Sequence, residues 1–408
     1  MSNSDSEIVD VAIIGAGLAG LSLALALGRS GARVALVERQ SPAALAAIEV
    51  DGRTTAIAAG ARAVLQDLGV WETLAAEAGP IWDIRVSDRN SLMHLHFAHQ
   101  AVGAGPMGHI LENHTLRRVM VNALADEPNI AAYWESSVTA MDVQDHWAAV
   151  TFDDGRELRA RLIAAADGRG SFVRRMAGIG IRATDYDETA IVCTAHHERP
   201  HEGIAHERFL AGGPFAILPM ADGADGQHRA SIVWTERRAF AEYLITLQRS
   251  DFERELARRF GDFLGRVTVP GQVWSYPLSL MLAKRLTAPR LALVGEAAHG
   301  MHPIAGQGFN VSMRDVDGLR NAVVGALQAG QDPGEQGVLT AYVRKRWPDI
   351  LAMAAATDGL NRLFRNGLPP VALARRLGLA AVNRLPPLKR QFQRHAMGML
   401  PFGGGGRP

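Results

Sequence analysis

Hydrophobic patterning divides the chain into recognisable elements from its first turn. Ile8–Ile14 is an apolar run of the kind a buried parallel strand needs, and Leu18–Ser30 continues it as a helix with few polar positions. Arg33–Val37 predicts a second strand that ends at Glu38, so the opening segment forms a strand–helix–strand unit. Helical spacing predicts helices over Thr55–Leu68, closed by Gly69, and from about His114 to Leu124, with Pro128 beyond. Ile84–Phe97 is rich in strand formers. Tyr133–Met141, Ala148–Phe152 and Glu157–Ala165 also predict strands, the last two joined by a hairpin through Asp153-Asp154-Gly155.

Short strands dominate from Thr189 to Thr235, at Ala190–His196, Phe215–Pro219 and Ala230–Trp234, as expected of an antiparallel sheet inserted between two α/β parts. Asp251–Phe260 predicts a helix, and Val273–Leu278 and Leu291–Val294 predict strands. Two long helices follow, over about Asn310–Leu327 and Gly337–Phe364, the second kinked at Pro348. Beyond Asn366 lie apolar-basic segments broken by Pro369-Pro370 and Pro386-Pro387, then a Gly403–Gly406 tail expected to lack order.

Charge refines this picture. The net charge is only +1, yet nine lysines and arginines and no acidic residue follow Asp358, so an acidic body carries a basic tail. Leu373, Leu377, Leu379, Val382 and Leu385 alternate there with Arg375, Arg376 and Arg384. That pattern suits a membrane surface, a partner of a biosynthetic complex, or packing on the body. No nucleic-acid partner is expected. The one cysteine, Cys193, allows neither an intrachain disulfide nor a thiolate metal cage, and fits a reducing cytoplasm. The polar opening Met1–Asp10 lacks the layout of a secretory signal. The uncharged stretch Val11–Gly28 approaches the length of a membrane span, but Gly15, Gly17 and Gly20 interrupt it, as a strand, tight turn and buried helix require.

Those glycines form a Gly15-x-Gly17-x-x-Gly20 fingerprint in the required setting: strand before, helix after, and Glu38 about 20 residues on. The first glycine permits the turn, the second lets backbone approach a pyrophosphate, and the third lets helix and strand pack closely. Glu38 can accept from a ribose diol and would repel a 2′-phosphate. The motif alone does not separate NAD from FAD. Gly103–Gly108 matches the bare pattern too, but Pro106 and the missing strand–helix setting make it a plain loop.

Two further stretches place carboxylates at strand ends, where open α/β sheets bind ligands. One is Asp167-Gly168-Arg169-Gly170-Ser171-Phe172-Val173-Arg174. The other runs from Gly295-Glu296-Ala297-Ala298-His299 through His302-Pro303-Ile304-Ala305-Gly306-Gln307-Gly308-Phe309-Asn310 to Asp315. With these motifs the sequence resembles the class A flavoprotein monooxygenases of the p-hydroxybenzoate hydroxylase fold, and within them the ubiquinone-biosynthesis hydroxylases. Thr357-Asp358-x-Leu360-x-x-Leu363-Phe364 and the Ala396-Met397-Gly398 ending look typical of that family, and the likeness spans Val9 to about Gly398. Glu296 stands where most relatives have Asp, and Ser312 where they have Gly.

The resemblance implies an α/β fold: a Rossmann-like FAD-binding domain (residues 1–80, 106–180 and 281–345), an inserted antiparallel β-sheet substrate domain (81–105 and 181–280) and a C-terminal helical segment (346–408). It implies that Gly15, Gly17, Gly20 and Glu38 hold the ADP half of FAD, and that Arg39, Arg53 and Arg117 are further cofactor contacts. Asp167 belongs to a motif that contacts FAD and NAD(P)H, and Gly295 and Glu296 meet the ribityl chain. Pro303, Gly306, Gln307, Gly308, Phe309 and Asn310 border the isoalloxazine ring, with no side-chain acid or base assigned. The implied chemistry uses NAD(P)H to reduce the flavin and O2 to form a C4a-hydroperoxide, which attacks a polyprenylated phenol. The cofactor thus carries the difficult step. An alternative is a flavoprotein hydroxylase of another aromatic substrate, or a non-catalytic FAD-bearing subunit. His94, His96 and His99, the pair His196-His197, and His299 with His302 lie close in sequence, but without HExxH spacing or cysteine partners no metal site is expected. The implied location is the cytoplasm or the inner face of a membrane.

Overall fold

The computed structural model describes residues 8–47, 52–88, 94–101, 103 and 105–365, together with 382, 383, 385, 387, 389 and 390. The leucine–arginine pattern around Leu373–Arg384, the Ala396-Met397-Gly398 ending and the glycine tail therefore lie outside the described residues or nearly so.

An eight-stranded sheet forms the first layer. Its parallel centre runs in the order Leu291–Leu293, Glu157–Ala165, Val9–Ile14, Val34–Val37 and Ile130–Tyr133. Ala148–Phe152 and Val138–Val143 extend it antiparallel on Glu157–Ala165. The Leu18–Gly28 helix lies on this sheet with almost every side chain buried, which explains its lack of a polar face. The Gln307–Gln328 and Asn113–Ala125 helices pack against it.

A nine-stranded sheet forms the second layer. Its order is His299–Gly300, Trp274–Ala283, Ile181–His197, His228–Arg237, Pro214–Pro219, Ile204–Phe209, Asp83–Asp88 and His94–Ala98, with Val267–Thr268 added on Ile181–His197. The pairings are antiparallel except one: Ile204–Phe209 and Asp83–Asp88 run parallel, because the latter arrives from an earlier part of the chain and takes the open edge. A small antiparallel sheet of Thr54–Ala58, Gly108–Glu112 and Gly79–Ile81 closes the space between the layers.

Three local expectations need correction. Thr55–Leu68 is not all helix: Thr54–Ala58 is a strand and the helix spans Ala59–Asp67. Thr54 and Thr55 are β-branched, and a partner strand at Gly108–Glu112, remote in sequence, decides the outcome. Tyr133–Met141 breaks at Glu135, whose φ of 52° turns the chain between Ile130–Tyr133 and Val138–Val143. The short strand expected at Ala190–His196 is the end of a 17-residue strand beginning at Ile181. Its register shifts between Asp185 and Glu188, where Asp187 adopts a φ of 54°. The Gln336–Arg365 helix continues through Pro348. Among the described residues no helix is long and apolar enough to cross a membrane.

Candidate active site

The glycine fingerprint sits between the end of Val9–Ile14 and the Leu18–Gly28 helix. Gly15 adopts a φ of 100°, and a Cβ on it would stand 2.7 Å from the Ala166 carbonyl oxygen and the Asp167 Cα. A Cβ on Gly20 would fall 1.9 Å from the Gly15 carbonyl oxygen, so helix and turn touch through backbone there. Gly17 differs: nothing lies within 4 Å of its Cβ position. Its open side leaves room for a ligand to approach the backbone, as the pyrophosphate position of such a turn requires.

Glu38 ends the adjacent strand. Its Oε2 accepts from the Ala16 N–H at 2.7 Å and its Oε1 from the Gln40 N–H at 3.0 Å. The carboxylate is thereby held beside the glycine turn with acceptor capacity left on each oxygen. Arg39, next along, is exposed. Arg117 is buried on the Asn113–Ala125 helix, where its Nε donates to the Leu45 carbonyl at 2.7 Å and fastens the Pro42–Ala46 segment that follows Glu38. Arg53 lies exposed over the Tyr276 ring, 5.1 Å from its centre, at the start of the Thr54–Ala58 strand.

The Asp167 motif meets the glycine turn directly, as the Gly15 and Gly20 contacts show. Asp167 Oδ2 accepts from the Phe172 and Val173 N–H groups at 2.7 and 3.2 Å. Its Oδ1 is buried without a hydrogen-bond partner, an acceptor suited to a ligand hydroxyl. Arg174 donates to the Ala297 and Arg169 carbonyls at 2.8 and 3.0 Å, bracing this motif against the next.

That next loop starts at Gly295, with a φ of 61°, whose Cβ position is 3.0 Å from Ala19 Cβ and 3.2 Å from Ser312 Oγ. Within the run Leu291–Gly300 every residue is buried except Glu296, which is exposed. Gly295 is fixed from below: its N–H donates to Asp315 Oδ2 at 3.1 Å, and the same oxygen accepts from His299 Nε2 at 2.6 Å. Asp315 Oδ1 takes Arg346 Nε at 2.8 Å, and Arg346 also pairs with Asp349 at 2.7 Å. Burial pushes the Asp315 carboxyl up, but His299 and Arg346 outweigh that and hold it below the usual carboxylate range.

Gly306, with a φ of 60°, caps the Gln307–Gln328 helix without a side-chain cap, so the positive end of that helix faces outward. Gly308, in its first turn, is exposed and has nothing within 4 Å of its Cβ position. Asn310 has another task. Its Oδ1 accepts from Ala58 N at 2.9 Å, and its Nδ2 donates to the Ala56 and Gly306 carbonyls at 2.9 and 3.1 Å. These bonds spend its amide on fixing the Pro303–Gln307 loop against the Thr54–Ala58 strand, so it positions that loop from behind. Phe309 packs against the core.

Beyond the loop lies an apolar cavity of about 230 Å³. Pro303, Gly306 and Gln307 form one wall, and one face of the nine-stranded sheet forms the other, through Val86, Glu207, Ala216 and Val233. His302, also a liner, is buried with Nε2 3.5 Å from Glu188 Oε2. Of the other paired histidines, His96 and His99 both contact Asp83, at 2.8 and 3.1 Å. The structure thus gathers Gly15, Gly17, Gly20, Glu38, Asp167, Gly295 and Glu296 at one sheet edge, with Pro303–Asn310 beside them. Arg39, Arg53 and Arg117 border this edge rather than converge in it. Sequence reading missed the sheet-side wall, above all Glu207. The alternation of Ala205, Glu207 and Phe209 was the available signal.

A dinucleotide turn, an outward carboxylate on a second loop and a helix N-terminus beside an apolar cavity define a flavin nucleotide enzyme. An FAD binding domain family model matches residues 8–357, and the chain belongs to the ubiquinone-biosynthesis hydroxylase branch of the class A flavoprotein monooxygenases. It is 47% identical to the ubiquinone hydroxylase UbiL of Rhodospirillum rubrum over 99% of this chain and 92% of that one. It is 33% identical to the 3-demethoxyubiquinol 3-hydroxylase of Escherichia coli over 98% of this chain and 100% of that one. The crystal structure of the p-nitrophenol 4-monooxygenase PnpA from Pseudomonas putida superposes with a TM-score of 0.76 at 20% identity, covering 96% of this chain and 98% of that one, and shares its fold. The cofactor is FAD.

Glu296→Ala offers a direct check on the second loop. Its side chain is exposed and outside the buried network, so the urea midpoint should stay within error of wild type while FAD affinity falls about tenfold, the usual scale of one charge-assisted hydrogen bond. A urea titration reads the first outcome and a fluorescence titration with FAD the second.

Proposed function

We propose that the chain hydroxylates the aromatic ring of a polyprenylated phenol in ubiquinone biosynthesis, with FAD as resident cofactor and NAD(P)H and O2 as co-substrates. In this reading Gly15, Gly17, Gly20 and Glu38 hold the ADP half of FAD, with Arg39, Arg53 and Arg117 at its border. Asp167, Gly295 and Glu296 meet the ribityl chain and its neighbours, and Pro303, Gly306, Gln307 and Gly308 frame the ring. Bound FAD, once reduced, supplies the activated oxygen. The protein's own part is to hold an electron-rich ring against that site, exclude water and stabilise charge with the helix N-terminus at Gln307.

The apolar cavity between the Pro303–Gln307 loop and the substrate sheet carries this reading. Its volume of about 230 Å³ suits a ring head group, and a long isoprenoid tail must leave through the mouth. Phe364 stacks on Phe209 with ring centres 3.5 Å apart, in a cluster with Val86 and Ile304, which also line the cavity. Phe364 and Arg365, the last residues described before the basic, apolar chain, therefore lie beside the cavity. Membrane contact through that chain would bring a lipid-dissolved substrate to the mouth.

Purified protein with FAD, NAD(P)H and O2 should convert a prenylated phenol to its ring-hydroxylated product faster than the unprenylated phenol. NAD(P)H consumption that rises with no phenol would instead favour a non-catalytic FAD-bearing subunit.

A further inference from the structure

Among the described residues that line the cavity, Glu207 is the one carboxylate. It stands mid-strand in Ile204–Phe209, flanked in register by Ala216 on one side and Val86 on the other. Ala205 and Phe209 share its face, and the former also lines the cavity. No hydrogen bond or ion pair to Glu207 occurs among the described residues, and burial is the sole influence on its ionisation. An acid on an apolar wall with no partner among the described residues is costly to keep, unless a ligand supplies the partner. His206 and His302 are the other titratable side chains lining the cavity among the described residues. His302 is turned toward Glu188 and Tyr186, and His206 packs on Phe263 at 4.7 Å between ring centres.

Resting on the functional reading above, we infer that Glu207 is the catalytic base for the substrate: its carboxylate accepts the phenol O–H and takes that proton as the ring is attacked. In this step the phenol O–H bond breaks and its electron pair stays on the ring oxygen. A new O–H bond forms on a Glu207 oxygen, and the added electron density activates the ring for the oxygen that FAD and O2 supply. The position fits the task, since Glu207 lies on the sheet wall while Pro303, Gly306 and Gln307 form the loop wall, so a ring in the cavity meets both. Burial pushes the Glu207 carboxyl up to about 7, in the range where a base is both available and strong enough near neutral pH.

The test uses FAD-loaded protein and 2-prenylphenol. In Glu207→Gln the hydroxylation rate should fall about 10²–10⁴-fold, the usual contribution of a positioned base, with KM changed far less. Wild-type rate should rise through a limb near pH 7 that Glu207→Gln lacks and Glu207→Asp partly restores. A binding readout needs no turnover. At pH 8 wild type should prefer 2-prenylphenol over 2-prenylanisole, which has no O–H, by about 10–100-fold, and Glu207→Leu should lose that preference while retaining FAD. Hydroxylation by Glu207→Gln within about twofold of wild type, or survival of the limb, overturns the inference. If wild type hydroxylates no phenol at all, the functional reading falls and takes this inference with it.

Discussion

Asp315→Ala is expected to destabilise the folded protein by about 3–5 kcal/mol, because it strips the shared partner from a buried charge network. Asp315 is fully buried, and its two oxygens collect His299, Gly295 N–H and Arg346. Without it, Arg346 keeps Asp349 as its one carboxylate partner among the described residues, beside the Val311 carbonyl, and the Gly295 N–H loses its acceptor. A urea titration at pH 7 reads the loss. The pH dependence has a definite sign. The Asp315 carboxyl is held below its ordinary value in the folded state, so its contribution is complete above the unfolded value of about 3.9 and disappears as pH falls through the folded one. The gap between variant and wild type should therefore be constant from pH 5 upward and close under stronger acid. FAD affinity should fall as well, since Gly295 opens the loop that carries Glu296. A variant as stable as wild type at pH 7 would remove the network from the account.

The second large effect separates two glycines of one motif. Gly20→Ala places a methyl 1.9 Å from the Gly15 carbonyl, and only backbone can move to relieve it. Overpacking of this kind costs about 1–3 kcal/mol, and here it also displaces the turn proposed to hold the pyrophosphate, so FAD affinity should drop by about 100-fold or more. Gly17→Ala adds a methyl with nothing within 4 Å. Apoprotein stability should then be unchanged to within about 0.5 kcal/mol, and the loss should fall on FAD binding alone. Paired urea midpoints and FAD titrations of the two variants make the comparison. Equal stability in both would mean that helix and turn do not meet as closely as the structure has them.

The same contrast explains what sequence could reveal. Gly15, Gly17, Gly20 and Glu38 were legible because their chemistry is local: a strand, a turn, a helix and an acid at fixed spacing. Asp167 and Gly295-Glu296 became legible through family resemblance, and the structure brings their loops against the glycine turn. What stayed hidden depends on remote pairing. Thr54–Ala58 reads as helix until Gly108–Glu112 pairs with it. Asn310 looks like a ring-facing residue until Ala56 and Ala58, some 250 positions away, claim its amide. Glu207 stays unnoticed in the sequence, because nothing local shows that its neighbours in register are Ala216 and Val86.

The Leu291–Gly300 segment leaves the parallel sheet at Leu293 and joins the other sheet at His299, pairing with Leu282. Ala283 N–H also donates to the Ala298 carbonyl at 2.8 Å, across the same seam. The parallel sheet and the sheet that lines the cavity are therefore laced by main-chain bonds into a single frame. Neither can swing away like a jaw without tearing that lacing. Ligand entry and exit are then expected at the short segments of the rim rather than by hinging of one sheet from the other.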